Sequence, residues 1–204
     1  VSRDVFALVA SEPGRVSGHH RMLRSYARHD YEAVPAALRL RGDEKVIDAG
    51  GGVGVLAELL LRHHPELRVL LLEREEVAAR TEIAPELAGR LEVRTADIFE
   101  PWGHRGDAVL LSRVLHDWDD EGALLILRNA RAALPEGGRL YLVELLVPEG
   151  GADGSLCSLH LLMTSGGKER TAGEYAALMC RAGFAPGDVV RLPRLQSVIE
   201  GVAR

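Results

Sequence analysis

Lys45-Val46-Ile47-Asp48-Ala49-Gly50-Gly51-Gly52-Val53-Gly54 is the stretch that decides the fold. Its first half is a short apolar run interrupted by one carboxylate, and its second half is nearly all glycine. The residues from Val53 to His64 then put Val53, Leu56, Leu59 and Leu60 on one helical face, and Pro65 closes them. Strand, glycine turn and helix in that order open a βαβ unit. Glycines at such a turn let the backbone bend tightly and let a ligand come close to main-chain atoms.

The same alternation continues outward. Arg68–Leu72 is a second apolar run, followed by a helical pattern over Glu75–Leu87 that Pro85 interrupts. Leu91–Arg94 and Asp107–Ser112 are the third and fourth strand candidates, with a helix expected at Glu121–Ala133 and a fifth strand at Arg139–Val147. Apolar strands spaced by helices predict a parallel sheet covered on both faces. Near the end, Val189–Leu192 and Ser197–Val202 are separated only by Pro193–Gln196. That connection is too short for a crossover helix, so the last two strands should be antiparallel. Residues 1–44 read as a helical segment, helical from Gly18 to Leu40 and broken or kinked at Pro35, which must pack on the main domain or on another chain. Residues 45–204 form the principal domain.

Composition sets the outer limits. The chain has 204 residues, 47% hydrophobic and 27% charged, which fits one globular domain. A net charge of −5 gives no electrostatic footprint for nucleic acid or for an anionic membrane surface. No apolar run approaches the ~20 residues of a membrane-spanning helix. Arg3 and Asp4 interrupt the start, so no signal peptide is visible and a cytoplasmic location is the expectation; the opening residue Val1 also reads as a fragment or processed form. Cys157 and Cys180 cannot build a disulfide framework. The pairs His19-His20 and His63-His64 lack a third ligand, so no metal site is expected.

Two ligands compete for the glycine turn. Gly52, Gly54 and Ala57 fit a dinucleotide fingerprint, but a pyrophosphate there would face the negative charge of Asp48. S-adenosylmethionine carries no phosphate, and its ammonium and sulfonium groups are cationic, so nearby acids favour it. Asp48, Gly50, Gly52 and Gly54 suit that ligand better. Glu73 ends the second strand, where it can accept the protons of both ribose hydroxyls, with Arg74 beside it. Asp97 follows the third strand and can accept from an adenine amino group, with Ile98 against the ring; a helix or turn cap is the competing reading, and the acids ending three successive strands at Asp48, Glu73 and Asp97 favour the ligand.

Leu115-His116-Asp117-Trp118-Asp119-Asp120 resembles the His-x-Trp-x-Asp motif of the small-molecule S-adenosylmethionine-dependent O-methyltransferases, of the caffeic-acid, hydroxyneurosporene and antibiotic-tailoring type. Gly166-Gly167-Lys168-Glu169-Arg170-Thr171 resembles a second signature of that family, and Ser197-Val198-Ile199-Glu200 its final strand. The resemblance implies a Rossmann-like class I methyltransferase fold, α/β, with a mostly parallel seven-stranded sheet, an antiparallel final hairpin and helices on both faces. It implies that His116 is a general base, with Glu144 and Glu169 holding its ring and stabilising the charged form. Cofactor contacts are implied at Asp48, Gly50, Gly52, Gly54, Glu73, Arg74, Asp97, Ile98 and Ser112. The implied acceptor is a small molecule with an aromatic or polyketide-like hydroxyl, and no metal is used. Trp118 reads as packing, Asp119 or Asp120 as the cap of the next helix, and His160 and Met163 as pocket lining or core.

The chain also departs from that family. Ser112 stands where many relatives have Lys, and Ala96 where many have Gly. Relatives carry a helical N-terminal dimerisation domain. Only 44 residues precede the first strand here, so the resemblance implies a catalytic domain without that part and leaves a homodimer open. Two other readings stay in view: the same fold binding S-adenosylmethionine for decarboxylation or hydroxylation, and a non-catalytic docking domain of a larger synthase.

Overall fold

The computed structural model describes residues 29–148, 166–194 and 196–204. Seven strands form one sheet in the order β3-β2-β1-β4-β5-β7-β6. They are β1 (Lys45–Ala49), β2 (Arg68–Glu73), β3 (Leu91–Thr95), β4 (Ala108–Ser112), β5 (Arg139–Leu145), β6 (Phe184–Arg191) and β7 (Gln196–Ala203). β1 to β5 run parallel to one another, and β7 runs antiparallel to both β5 and β6. The helices are α1 (Val34–Ala37), α2 (Val55–His63), α3 (Glu75–Ala78), α4 (Asp120–Ala132) and α5 (Ala172–Arg181).

Strand alternation explains the layers. Val46, Val69, Leu71, Leu110, Tyr141, Val143 and Val198 pack on one face against Leu56, Leu60 and Leu61 of α2, with Val34 and Leu38 from the N-terminal side. Ile47, Ala49, Leu70, Val109, Leu111, Leu140, Leu142 and Ile199 face the other way, onto Ala123, Ile126 and Leu127 of α4 and Leu178 and Met179 of α5. The inner parallel strands β1, β2, β4 and β5 therefore bury both faces, and their sequences are mostly apolar runs. A buried Leu or Val side chain contributes about 1.5–3 kcal/mol relative to exposure, so this double core dominates stability.

Several boundaries differ from the sequence expectation. The helix expected over Glu75–Leu87 is only the short α3 plus a 3-10 turn at Pro85–Leu87. The edge strand β3 is not fully apolar: Glu92, Arg94 and Thr95 are exposed. β6 begins at Phe184 rather than Val189, and its register shifts between Pro186 and Val189. Pro-Gly-Asp reads as a strand breaker, yet an edge strand tolerates proline because one side of it donates nothing to a neighbour. Pro35 does not interrupt a helix; it sits in the first turn of α1, where its missing N–H has no helical partner to lose. The rest of the expected Gly18–Leu40 helix before residue 29, and Cys157, His160 and Met163, lie outside the described residues, as do His19 and His20.

The chain goes outward from β1 through β2 to β3, then returns to lay β4 on the other side of β1. The carboxyl ends of β1 and β4 thus meet at the point where strand order reverses, which is where open α/β sheets bind ligands.

Candidate active site

The glycine turn and the acids at the strand tips form one group. Gly50, Gly52 and Gly54 all have positive φ, at 72°, 63° and 82°, a region that residues with a Cβ rarely adopt. Gly52 N donates to Glu73 Oε2 at 3.0 Å, which ties the turn to the tip of β2. Arg74 N donates to the other oxygen, Oε1, at 2.8 Å. Gly51, which the sequence reading passed over, is needed for another reason: a Cβ there would stand 2.4 Å from Asp48 Oδ2.

Asp48 stands near the carboxyl end of β1. It is fully buried beneath the turn, and neither carboxylate oxygen has a hydrogen-bond partner among the described residues. Burial, with the charge of Glu73 added, pushes its pKa up to about 7. Such an acid is costly to ionise until a cation arrives. At the third strand tip, Asp97 is exposed and accepts from Phe99 N at 2.9 Å, a turn cap, while half-buried Ile98 packs on the core.

The second group surrounds His116, which is 4% exposed in a 3-10 turn (Leu115–Asp117) just past β4. Its Nδ1 lies 3.2 Å from Glu169 Oε1. Glu144 does not hydrogen-bond the ring, contrary to the expectation that it grips the imidazole. Its Oε1 instead accepts from Val114 N at 3.2 Å and Leu115 N at 3.0 Å, so it anchors the backbone that carries the ring. Burial opposes charge on His116, but the Glu169 hydrogen bond and the Glu144 charge outweigh it, and the ring's pKa stands above its usual value. Burial also pushes Glu144 up to about 7. One oxygen of Glu144 and one of Glu169 lack partners among the described residues.

His116, Glu144 and Glu169 offer ligand atoms within 4.8 Å of one another, a set that could grip a metal ion. Arg113 competes for that role, with Nη1 3.7 Å from Glu169 Oε1. Arg113 holds a left-handed φ of 56°, rare for a residue with a long side chain and not legible in the residues around it.

The two groups touch. A Cβ on Gly50 would stand 2.9 Å from Val114 Cγ2, two residues before His116. Phe99, two residues past Asp97, packs edge-to-face on Trp118 with ring centroids 4.7 Å apart. Ser112 is buried at the tip of β4 beside Val143. Tyr31 lies beside the site from the N-terminal side: burial raises its phenol pKa, and Ser112 and Arg113 pull it back. Asp119, not Asp120, caps α4, accepting from Gly122 N at 2.8 Å.

A family model for the O-methyltransferase domain matches residues 3–185. The chain belongs to that family. A phenazine O-methyltransferase of Lysobacter antibioticus is 35% identical over 96% of this chain and 59% of its own length. A 3-hydroxy-5-methyl-1-naphthoate 3-O-methyltransferase of Streptomyces sahachiroi is 35% identical over 83% of this chain and 52% of its own. Among solved structures, the O-methyltransferase NcsB1 of neocarzinostatin biosynthesis, in complex with S-adenosyl-L-homocysteine and 1,4-dihydroxy-2-naphthoic acid, is 30% identical with a TM-score of 0.87. That alignment covers 98% of this chain and 61% of the NcsB1 chain. The chain thus spans about half to three fifths of the length of these O-methyltransferases. Its sheet, mostly parallel with antiparallel final strands, is that of class I methyltransferases. No helix among the described residues is long and apolar enough to cross a membrane.

Proposed function

We propose that this domain transfers a methyl group from S-adenosylmethionine to an aromatic or polyketide-like hydroxyl of a small molecule in secondary metabolism, with His116 as general base. The observation that carries this reading is the His116–Glu169 contact in the turn that packs against the glycine loop. The residues present fit the cofactor. A turn with little side-chain bulk borders a buried carboxylate that has no partner among the described residues, and Glu73 stands at the next strand tip, where ribose hydroxyls can donate to it. Asp48, Gly50, Gly52, Gly54, Glu73, Arg74, Asp97, Ile98 and Ser112 would hold it. When bound, S-adenosylmethionine supplies an electrophilic methyl carbon.

The chain's own residues handle the proton. A phenol has a pKa near 10, so most of it is un-ionised and weakly nucleophilic at pH 7. With Nδ1–H donating to Glu169, His116 presents the Nε2 lone pair to an acceptor hydroxyl. Nε2 would take the proton as the oxygen bonds to the methyl carbon and the carbon–sulfur bond breaks, its electron pair staying on sulfur so that neutral S-adenosylhomocysteine leaves. Glu169 and Glu144 stabilise the imidazolium that results, through a hydrogen bond and through charge. General-base help of this kind contributes roughly 10²–10⁴ in rate. No metal is needed for these steps. The acceptors named for the relatives, a naphthoate among them, support a flat hydroxylated aromatic as the substrate class.

The test is transfer of labelled methyl from S-adenosylmethionine to a panel of hydroxynaphthoates and phenazines, with His116→Ala in parallel. Turnover should fall at least about a hundredfold while cofactor affinity by calorimetry changes little. Turnover that survives the substitution rejects the base. Binding of S-adenosylmethionine without transfer to any hydroxyl rejects the O-methyltransferase reading.

A further inference from the structure

Among the described residues, Arg170 is the largest side chain buried completely, at 0% exposure. A guanidinium has five N–H donors and no way to shed its charge, so complete burial demands a full set of acceptors. Those acceptors are concentrated on one place. Nη1 donates to the carbonyl of Leu115 at 2.9 Å and Nη2 to the carbonyl of Trp118 at 2.8 Å. Nε and Nη2 also donate to Asp120 Oδ1, at 3.0 and 2.8 Å. Leu115 and Trp118 bracket His116, and Asp120 begins α4 immediately afterward. The guanidinium therefore ties both ends of the turn that carries His116 to the helix behind it.

The segment around Arg170 is itself pressed on that turn. A Cβ on Gly167 would stand 2.0 Å from the carbonyl oxygen of His116, so only glycine lets the backbone approach so closely. Arg170 forms a parallel bridge with Leu146, just past β5, and Val147 N donates to its carbonyl at 3.2 Å. In such an extended segment successive side chains point to opposite sides. Glu169 goes to the imidazole, and Arg170 goes under the turn.

We propose that Arg170 is a positioning residue for the base, and that residues 167–170 act as one clamp. Gly167 sets the approach, Glu169 holds the ring, and Arg170 fixes the peptide frame from which the ring projects. Lysine cannot replace this arrangement, because one ammonium does not span two carbonyls and a carboxylate as a planar fork does. The inference rests on His116 being the base.

The experiment compares Arg170→Lys with the wild type and with His116→Ala. Misplacing a reacting group by about 1 Å can cost roughly a hundredfold, so Arg170→Lys should lower kcat at least about tenfold. The acceptor KM and the cofactor Kd should stay within about threefold. The groups facing His116 are Glu169, Glu144, Asp117 and Arg113, and they keep their charges in this variant. As the ring drifts from Glu169, the acid limb of the kcat–pH profile should move to lower pH. A normal kcat and an unmoved acid limb, even with a lowered melting temperature, would make Arg170 structural only and overturn the proposal. Should Arg170→Lys fail to fold, Asp120→Asn serves instead, since that carboxylate is half exposed and removing its charge loosens one arm of the fork. Its kcat should drop severalfold with the same limb shift; an unchanged profile overturns the clamp. Turnover surviving in His116→Ala rejects the base reading, whereas a dead His116→Ala beside a normal Arg170→Lys rejects the clamp alone.

Discussion

Glu169 lies 53 residues beyond His116 in the chain, and its Oε1 stands 3.2 Å from that ring's Nδ1. Both side chains are almost wholly shielded from water, at 1% and 6% exposure. The hydrogen bond to Glu169 raises the pKa of the His116 ring.

A general base at His116 would work only when deprotonated, and the ring's pKa stands above the ordinary histidine value. The rate should therefore rise with pH through a midpoint above about 6.5. Glu169→Gln removes the charge that helps hold the midpoint up. We expect the acid limb to move to lower pH and the plateau kcat to fall by about tenfold or more. A profile recorded from pH 5 to 9 checks both.

Asp48 gives a second pH dependence, this time in binding. Its pKa of about 7 means that a large share of the molecules carry it protonated at neutral pH before a cation is present. A positively charged methyl donor favours the ionised form. Binding should then release a fraction of a proton and tighten as pH rises through 7. Calorimetry in buffers of different ionisation heat measures the release. Asp48→Asn should abolish that release and weaken binding, and equal proton release in the variant would count against the assignment.

Gly51→Ala tests the floor of the glycine turn. The added methyl would meet Asp48 Oδ2 at 2.4 Å and Leu71 Cδ1 at 2.6 Å, both within a packed core. Overpacking of this kind costs typically about 1–3 kcal/mol. In a domain of this size that corresponds to a drop of roughly 2–12 °C in Tm. Differential scanning fluorimetry should show it, with weakened binding of the donor alongside.

Glu144 links folding to pH. Its folded pKa, about 7, lies above the unfolded value of 4.5, so the folded state holds the proton more tightly. The resulting stability is complete below pH 4.5 and is lost as pH rises to about 7. Glu144→Gln cannot ionise. Urea melts should show wild-type stability falling relative to this variant across that window, by on the order of 1–3 kcal/mol.

Much of the sheet was legible because each inner strand is an apolar run bounded by a charged residue or by glycine. Lys45–Ala49 matched to the residue. The failures have local causes. Glu75 and Glu76 begin a helix well, but the chain leaves it after Ala78, and the 3-10 turn starts only at Pro85. Phe184–Asp188 carries Pro and Gly and so hid an edge strand. In the site, His116 and Glu169 were singled out by their resemblance to family motifs, and the fold brings the two side chains together. Asp48's burial, Glu144's grip on main-chain amides and the fork of Arg170 were not. Each depends on which atoms tertiary packing brings within 3 Å, and no residue pattern in one dimension encodes that.

The insertion of β7 between β5 and β6 has a consequence for the nascent chain. β5 carries Glu144, and seven of its residues, Arg139 to Leu145, pair with β7. While a ribosome is still making residues after 145, one flank of β5 offers bare amides and carbonyls to any extended segment nearby. The anchor of the turn that carries His116 is therefore sealed late in biosynthesis. Variants that slow β7 docking, such as Gly201→Val against Met179, would give aggregated material before they gave slow enzyme.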